Sequence, residues 1–141
     1  MPEGHRPSLK PRFAVSHADE SNYAQHHFRP DLEMRDLGVA SATDGMVSIH
    51  ISRHRPTEEI PEEDYGWHYH HNVEFQYFYV LKGWQRMAIE GHGEILMRPG
   101  SGWLQPPETK HEVLGHSEDL EVLCINMPQK FDTRTVRPAK K

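Results

Sequence analysis

Three histidines fall within four positions of Gly66-Trp67-His68-Tyr69-His70-His71-Asn72-Val73-Glu74-Phe75-Gln76, with a carboxylate and an amide just downstream. Neutral imidazole suits zinc, iron, copper and nickel, whereas an all-oxygen cage suits magnesium or calcium. On an extended strand, side chains i and i+2 share a face, so His68 and His70 can converge on one ion while His71 points away. A pair of imidazoles needs further donors arriving from elsewhere in a sheet. Glu74 and Gln76 are the nearby oxygen donors, and both share the parity of the pair.

The elements around this stretch are short strands. Val47, Ile49 and Ile51 alternate with polar neighbours through 46–52, the period of a half-buried strand. Residues 53–66 hold two prolines and five acids and read as a solvated loop. Beyond them, strands are expected over 76–81, 84–89, 94–97, 102–105, 111–114 and 120–126, each ended by glycine or proline. Nothing shows a sustained helical period. The pattern predicts an all-β sandwich or barrel over 28–131. An irregular, flexible N-terminal arm is expected over 1–27 and a solvated basic tail over 132–141.

Composition narrows the partners. The formal net charge is −5 and no apolar run approaches the roughly 20 residues of a membrane span, so neither nucleic acid nor membrane is expected as a partner. The first residues, MPEGHRPSLKPRF, lack the apolar core of a secretory signal. The single Cys124 excludes an intrachain disulfide and reads as a small buried side chain. These features favour a cytoplasmic protein. Of the twelve histidines, His92 sits in a Gly-His-Gly turn, His5, His26 and His27 lie in the arm, and His116 adjoins an acidic loop.

Two motifs give these residues a family. His68-x-His70 followed by Gly83, and Gly100-x5-Pro106-x4-His111, resemble the paired motifs of the cupin superfamily over about residues 46–127. The departures are Glu108, where that family's second motif usually has glycine, and Gly115, where it has asparagine. The resemblance implies a double-stranded β-helix, a jelly-roll barrel, with one divalent transition metal (Fe, Mn, Zn or Ni) inside. It places His68, His70 and His111 on that metal.

The acidic position of the first motif is ambiguous. Counting back from Gly83 lands on Gln76; counting forward from His70 lands on Glu74. Tyr77–Leu81 match the strand that precedes the glycine, which favours Gln76 as the oxygen ligand. A neutral amide leaves the ion more Lewis-acidic than a glutamate would. Glu74 would then be available as a catalytic base. The resemblance allows a dioxygenase-like or isomerase-like enzyme acting on a small organic molecule, or a non-enzymatic ligand-binding or structural protein. It also implies a homodimer, with the strand near Val47–Ile51 as the expected contact.

Overall fold

The protein is described by a computed structural model over residues 10–26, 29–58 and 67–136. Most of the expected strands form, with bounds moved by one or two residues. In chain order they are β1 (Ala24–Gln25), β2 (Leu32–Asp36), β3 (Ser48–His54), β4 (His68–His71), β5 (Phe75–Lys82), β6 (Gln85–Ile89), β7 (Gly93–Met97), β8 (Gly102–Leu104), β9 (His111–His116), β10 (Glu121–Met127) and β11 (Asp132–Thr135). One sheet runs β1-β2-β3-β10-β5-β8 and the other β11-β4-β9-β6-β7. Every pairing is antiparallel. The double-stranded β-helix read from the sequence is therefore the fold.

The inward faces explain how one barrel holds both a core and a site. Val80 and Phe78 on β5, Val122 and Cys124 on β10, and Met87 and Ile89 on β6 belong to the apolar cluster. Two residues further along the same faces stand Gln76 on β5 and Asn126 on β10, both buried. Since Gln76 is the register partner of Asn126, the change from apolar to polar occurs at one level of the barrel. One end is packed and the other is chemically equipped. Cys124 lies in the packed part, free and buried, where desolvation pushes its thiol up to about 12.

Gly83 shows why the β5–β6 turn needs glycine. Its φ is +73°, and a Cβ there would stand 2.8 Å from the Leu120 backbone and closer still to Ser117 and Asp119. Any side chain would meet both left-handed strain and a wall.

One expectation is corrected. Residues 132–141 were expected as a solvated tail, yet Asp132–Thr135 pairs with β4 along its whole length, Thr133 opposite His70. The Asp-Thr-Arg-Thr stretch has no apolar alternation, so only its sheet partner makes it a strand. The arm, read as either flexible or draped, is draped between Arg12 and Gln25. The Arg12 backbone N–H donates to Ala42 C=O at 2.9 Å, and Arg53 lies 3.5 Å over the Tyr23 ring. Arg53 also donates to Glu20. Residues 36–45, which carried no helical signal, include a single helical turn, α1 (Val39–Ala42), that buries Ala40 and Ala42. In its sheet β3 is flanked by β2 and β10. Its polar face, Ser48, His50 and Ser52, is the one that lines the barrel cavity. The arm residues before Lys10, the loop over 59–66 and the last residues from 137 lie outside the described residues.

Candidate metal centre

His68 and His70 alternate inward on β4 while Tyr69 and His71 are only half-buried. His111 begins β9 and is the register partner of His68. Strand alternation supplies two imidazoles and cross-strand pairing the third. Their ring centroids are 5.2 Å (His68–His70), 4.2 Å (His68–His111) and 5.0 Å (His70–His111) apart. One nitrogen of each lies within 4.8 Å of the others, and all three residues are buried. This is the separation of donors that a single ion can gather. His71 faces the other way, its Nδ1 3.3 Å from Glu108 Oε2.

Two of the rings are held by their outer nitrogens. His111 Nδ1 lies 2.9 Å from the Thr109 carbonyl. A carbonyl can only accept, so Nδ1 carries the proton and the Nε2 lone pair is available. Burial, with the neighbouring His68 second, pushes the His111 pKa from the ordinary 6.5 down to about 3. The ring is neutral at physiological pH, as a ligand must be. His70 Nδ1 is 2.9 Å from Thr133 Oγ1, which leaves its Nε2 for the same purpose. Thr133 lies in the stretch read as tail, and nothing local in the sequence marks it. Thr133→Val should lower metal affinity about 10- to 100-fold, the usual effect of losing such an orienting contact. Metal titration by calorimetry checks this, and unchanged affinity would remove Thr133 from the site.

On the opposite sheet the oxygen donors form a row of amides. Gln76 Nε2 donates to Asn126 Oδ1 at 2.9 Å. Gln105 Nε2 donates to Gln76 Oε1 at 3.0 Å and lies 3.3 Å from His111 Nε2. The Gln105 backbone N–H continues the ladder past β8 by donating to Gln76 C=O at 2.9 Å. Asn126 on β10, Gln76 on β5 and Gln105 just past β8 are thus neighbours. Neither Asn126 nor Gln105 was singled out in the sequence. The available signal was the parity of Gln105 with Trp103 and of Asn126 with Val122 and Cys124.

Glu74 is placed differently from Gln76. Asn72, with φ +66°, turns the chain between β4 and β5. After that turn Val73 and Gln76 are buried and Glu74 is exposed. The shared parity of Glu74 and Gln76 has no force, because β5 begins at Phe75 and strand alternation does not extend back to Glu74. Glu74 is absent from the lining of the barrel cavity, a space of about 350 Å³ bordered by the triad, Gln76, Gln105 and Asn126. Among the described residues, no Asp or Glu lines it. A second consequence of the family pattern is visible at Glu108, whose φ is +64°. The backbone there keeps the left-handed form that glycine usually serves.

An antiparallel double-stranded β-helix with three inward imidazoles at one end defines a barrel able to hold a divalent metal. The cupin-domain family model matches residues 57–126, and the chain belongs to the cupin superfamily. No curated protein matches it. Among solved structures, KdgF from Halomonas sp. is 17% identical, with a TM-score of 0.58 over 84% of this chain and 96% of that one. A sugar phosphate isomerase of the cupin superfamily from Silicibacter pomeroyi is 17% identical, with a TM-score of 0.54 over 85% and 71%. Streptomyces PAC13 with uridine is 13% identical, with a TM-score of 0.57 over 83% and 87%. At these identities the likeness is one of fold. Among the described residues, no helix is long and apolar enough to cross a membrane.

Proposed function

We propose that this cupin holds one divalent transition metal on His68, His70 and His111, with Gln76 supplying an oxygen, and acts on a small polar organic molecule in the adjoining cavity. The observation that carries the reading is the buried triad opening onto about 350 Å³ of space. The donors fit such an ion: three neutral nitrogens, at least one with its tautomer set by the backbone. The Gln76 carbonyl has a second lone pair beyond the one Gln105 uses. A divalent ion there would polarise a coordinated carbonyl or hydroxyl oxygen of the bound molecule.

The chain's own residues set the character of the chemistry. The proposed donors are all neutral, and among the described residues no carboxylate lines the cavity to offset the ion's charge. That environment favours polarisation of a substrate, as in an isomerisation or elimination, over a dioxygenase-like oxidation that raises the metal's charge. The printed names of the structural neighbours include an isomerase, lyases and a nucleoside dehydratase, which accords with that preference. Glu74, exposed and outside the cavity, takes no part. The apolar wall of Phe78, Met87 and Trp103 excludes water and strengthens each polar contact made inside.

Elemental analysis of protein purified without a metal-affinity tag tests the reading. It should give close to one Fe, Mn, Zn or Ni per chain. A content near zero that reconstitution with each ion fails to raise would remove it.

A homodimer contact is also proposed on the outer face of β5 and β8. Phe75, Tyr79, Leu81 and Leu104 are exposed there at 40%, 39%, 47% and 58%, and β8 is the edge of its sheet. A second copy would cover this stripe. Sedimentation of the wild type as a 16.4 kDa monomer at micromolar concentration would refute it.

A further inference from the structure

Gln105 points the nitrogen end of its amide at the triad. Its Nε2 is 3.3 Å from His111 Nε2, the nitrogen whose lone pair the Thr109 carbonyl keeps available. Any ion that takes that lone pair breaks this hydrogen bond. It would also leave an N–H dipole directed at a divalent cation. At the other end of the amide, Gln105 Oε1 is buried and has no hydrogen-bond partner, although the residue is 97% buried by its 3% exposure. An unsatisfied buried carbonyl costs about 1–3 kcal/mol, so nothing on that side holds the amide in its present sense.

The amide's terminal torsion is soft and close to two-fold. A half-turn would exchange its two ends. Oε1 would then occupy the present position of Nε2, 3.0 Å from Gln76 Oε1 and 3.3 Å from His111 Nε2. Two bare oxygens at 3.0 Å repel one another unless a cation lies between them. With bonds of about 2.1 Å to the ion, ligand atoms at right angles stand roughly 3 Å apart. The amide end of Gln105 already has about that spacing to both Gln76 Oε1 and His111 Nε2.

We propose that Gln105 is a further ligand of the metal site, turning its carboxamide oxygen onto the ion when the ion binds. The site is then three imidazoles and two amide oxygens, with Gln105 the piece that changes state between the empty and the loaded barrel. This rests on the triad holding a metal. Backbone hydrogen bonding of Gln105 to Gln76 keeps the side chain in place through the half-turn, so only its last torsion moves.

Cobalt(II) alone is the probe, read by its affinity and by its visible absorption, which intensifies as the coordination number falls. Gln105→Met keeps the length and loses the oxygen. It should bind cobalt at least about tenfold more weakly than wild type and absorb more strongly. Gln105→Glu, with an anionic oxygen in the same place, should bind at least as tightly as wild type. Melting of the metal-free variants checks that each is folded. If Gln105→Met does not fold, weaker binding by Gln105→Glu overturns the proposal. With folded variants, affinity and spectrum unchanged in Gln105→Met overturn it while leaving the triad intact. Wild type that binds no cobalt overturns the metal reading itself.

Discussion

Replacing His111 by alanine is expected to weaken divalent-metal binding by at least about a hundredfold, beyond the range seen for losing an orienting contact alone. The metal-free variant should still fold. His111 is the proposed ligand at which the two sheets of the barrel meet. It pairs across the ladder with His68, its tautomer is set by the Thr109 carbonyl, and its inner nitrogen meets the amide row through Gln105. Taking it away leaves two imidazoles on one strand. The paired control is His71→Ala, which removes a ring one residue from the triad but directed at Glu108 on the outside. That variant should bind metal as wild type does. Calorimetric titration of both reads the difference. Equal losses in the two variants would mean that His111 holds no ion.

The same residue governs the pH dependence of the metal-free protein. Above pH 6.5 His111 is neutral whether the chain is folded or not, and it adds no slope. Below 6.5 the unfolded chain takes up a proton there while the folded chain, with the pKa near 3, does not. The unfolded state then binds more protons, and stability falls as pH falls. The window runs from about 6.5 to about 3, with a slope of up to about 1.4 kcal/mol per pH unit from this one group. His116, pushed downward chiefly by burial, adds to the slope with the same sign. Saturating metal opposes the loss: at a hundred times its dissociation constant it adds about 2.7 kcal/mol, an advantage that shrinks as protons compete for the imidazoles. Melting curves from pH 8 to 4, with and without metal, follow both effects. A metal-free melting temperature that is flat or rises toward pH 4 would contradict the argument.

Much of the strand order was legible before any coordinates, because glycine and proline punctuate this chain and short apolar alternations lie between them. The first two ligands were equally legible: His68 and His70 follow from a period of two. His111 came from motif spacing, and its place opposite His68 bears that spacing out. What failed failed for local reasons. The parity of Glu74 with Gln76 was applied as though one regular strand held both, yet β5 begins at Phe75 and Glu74 lies before it, exposed. Residues 132–135 were read by composition, which is silent about a strand whose only reason to exist is a partner.

The sequence by itself determined the barrel and its His-x-His pair, since both depend on periods and turn residues that act over a few positions. Tertiary structure alone decided the rest of the centre. Thr133 meets His70 across 63 residues of chain, Gln76 meets Asn126 across 50, and Gln105 meets Gln76 across 29. Those meetings are set by antiparallel register, and register is fixed by the whole sheet packing around one core. No window of sequence contains it.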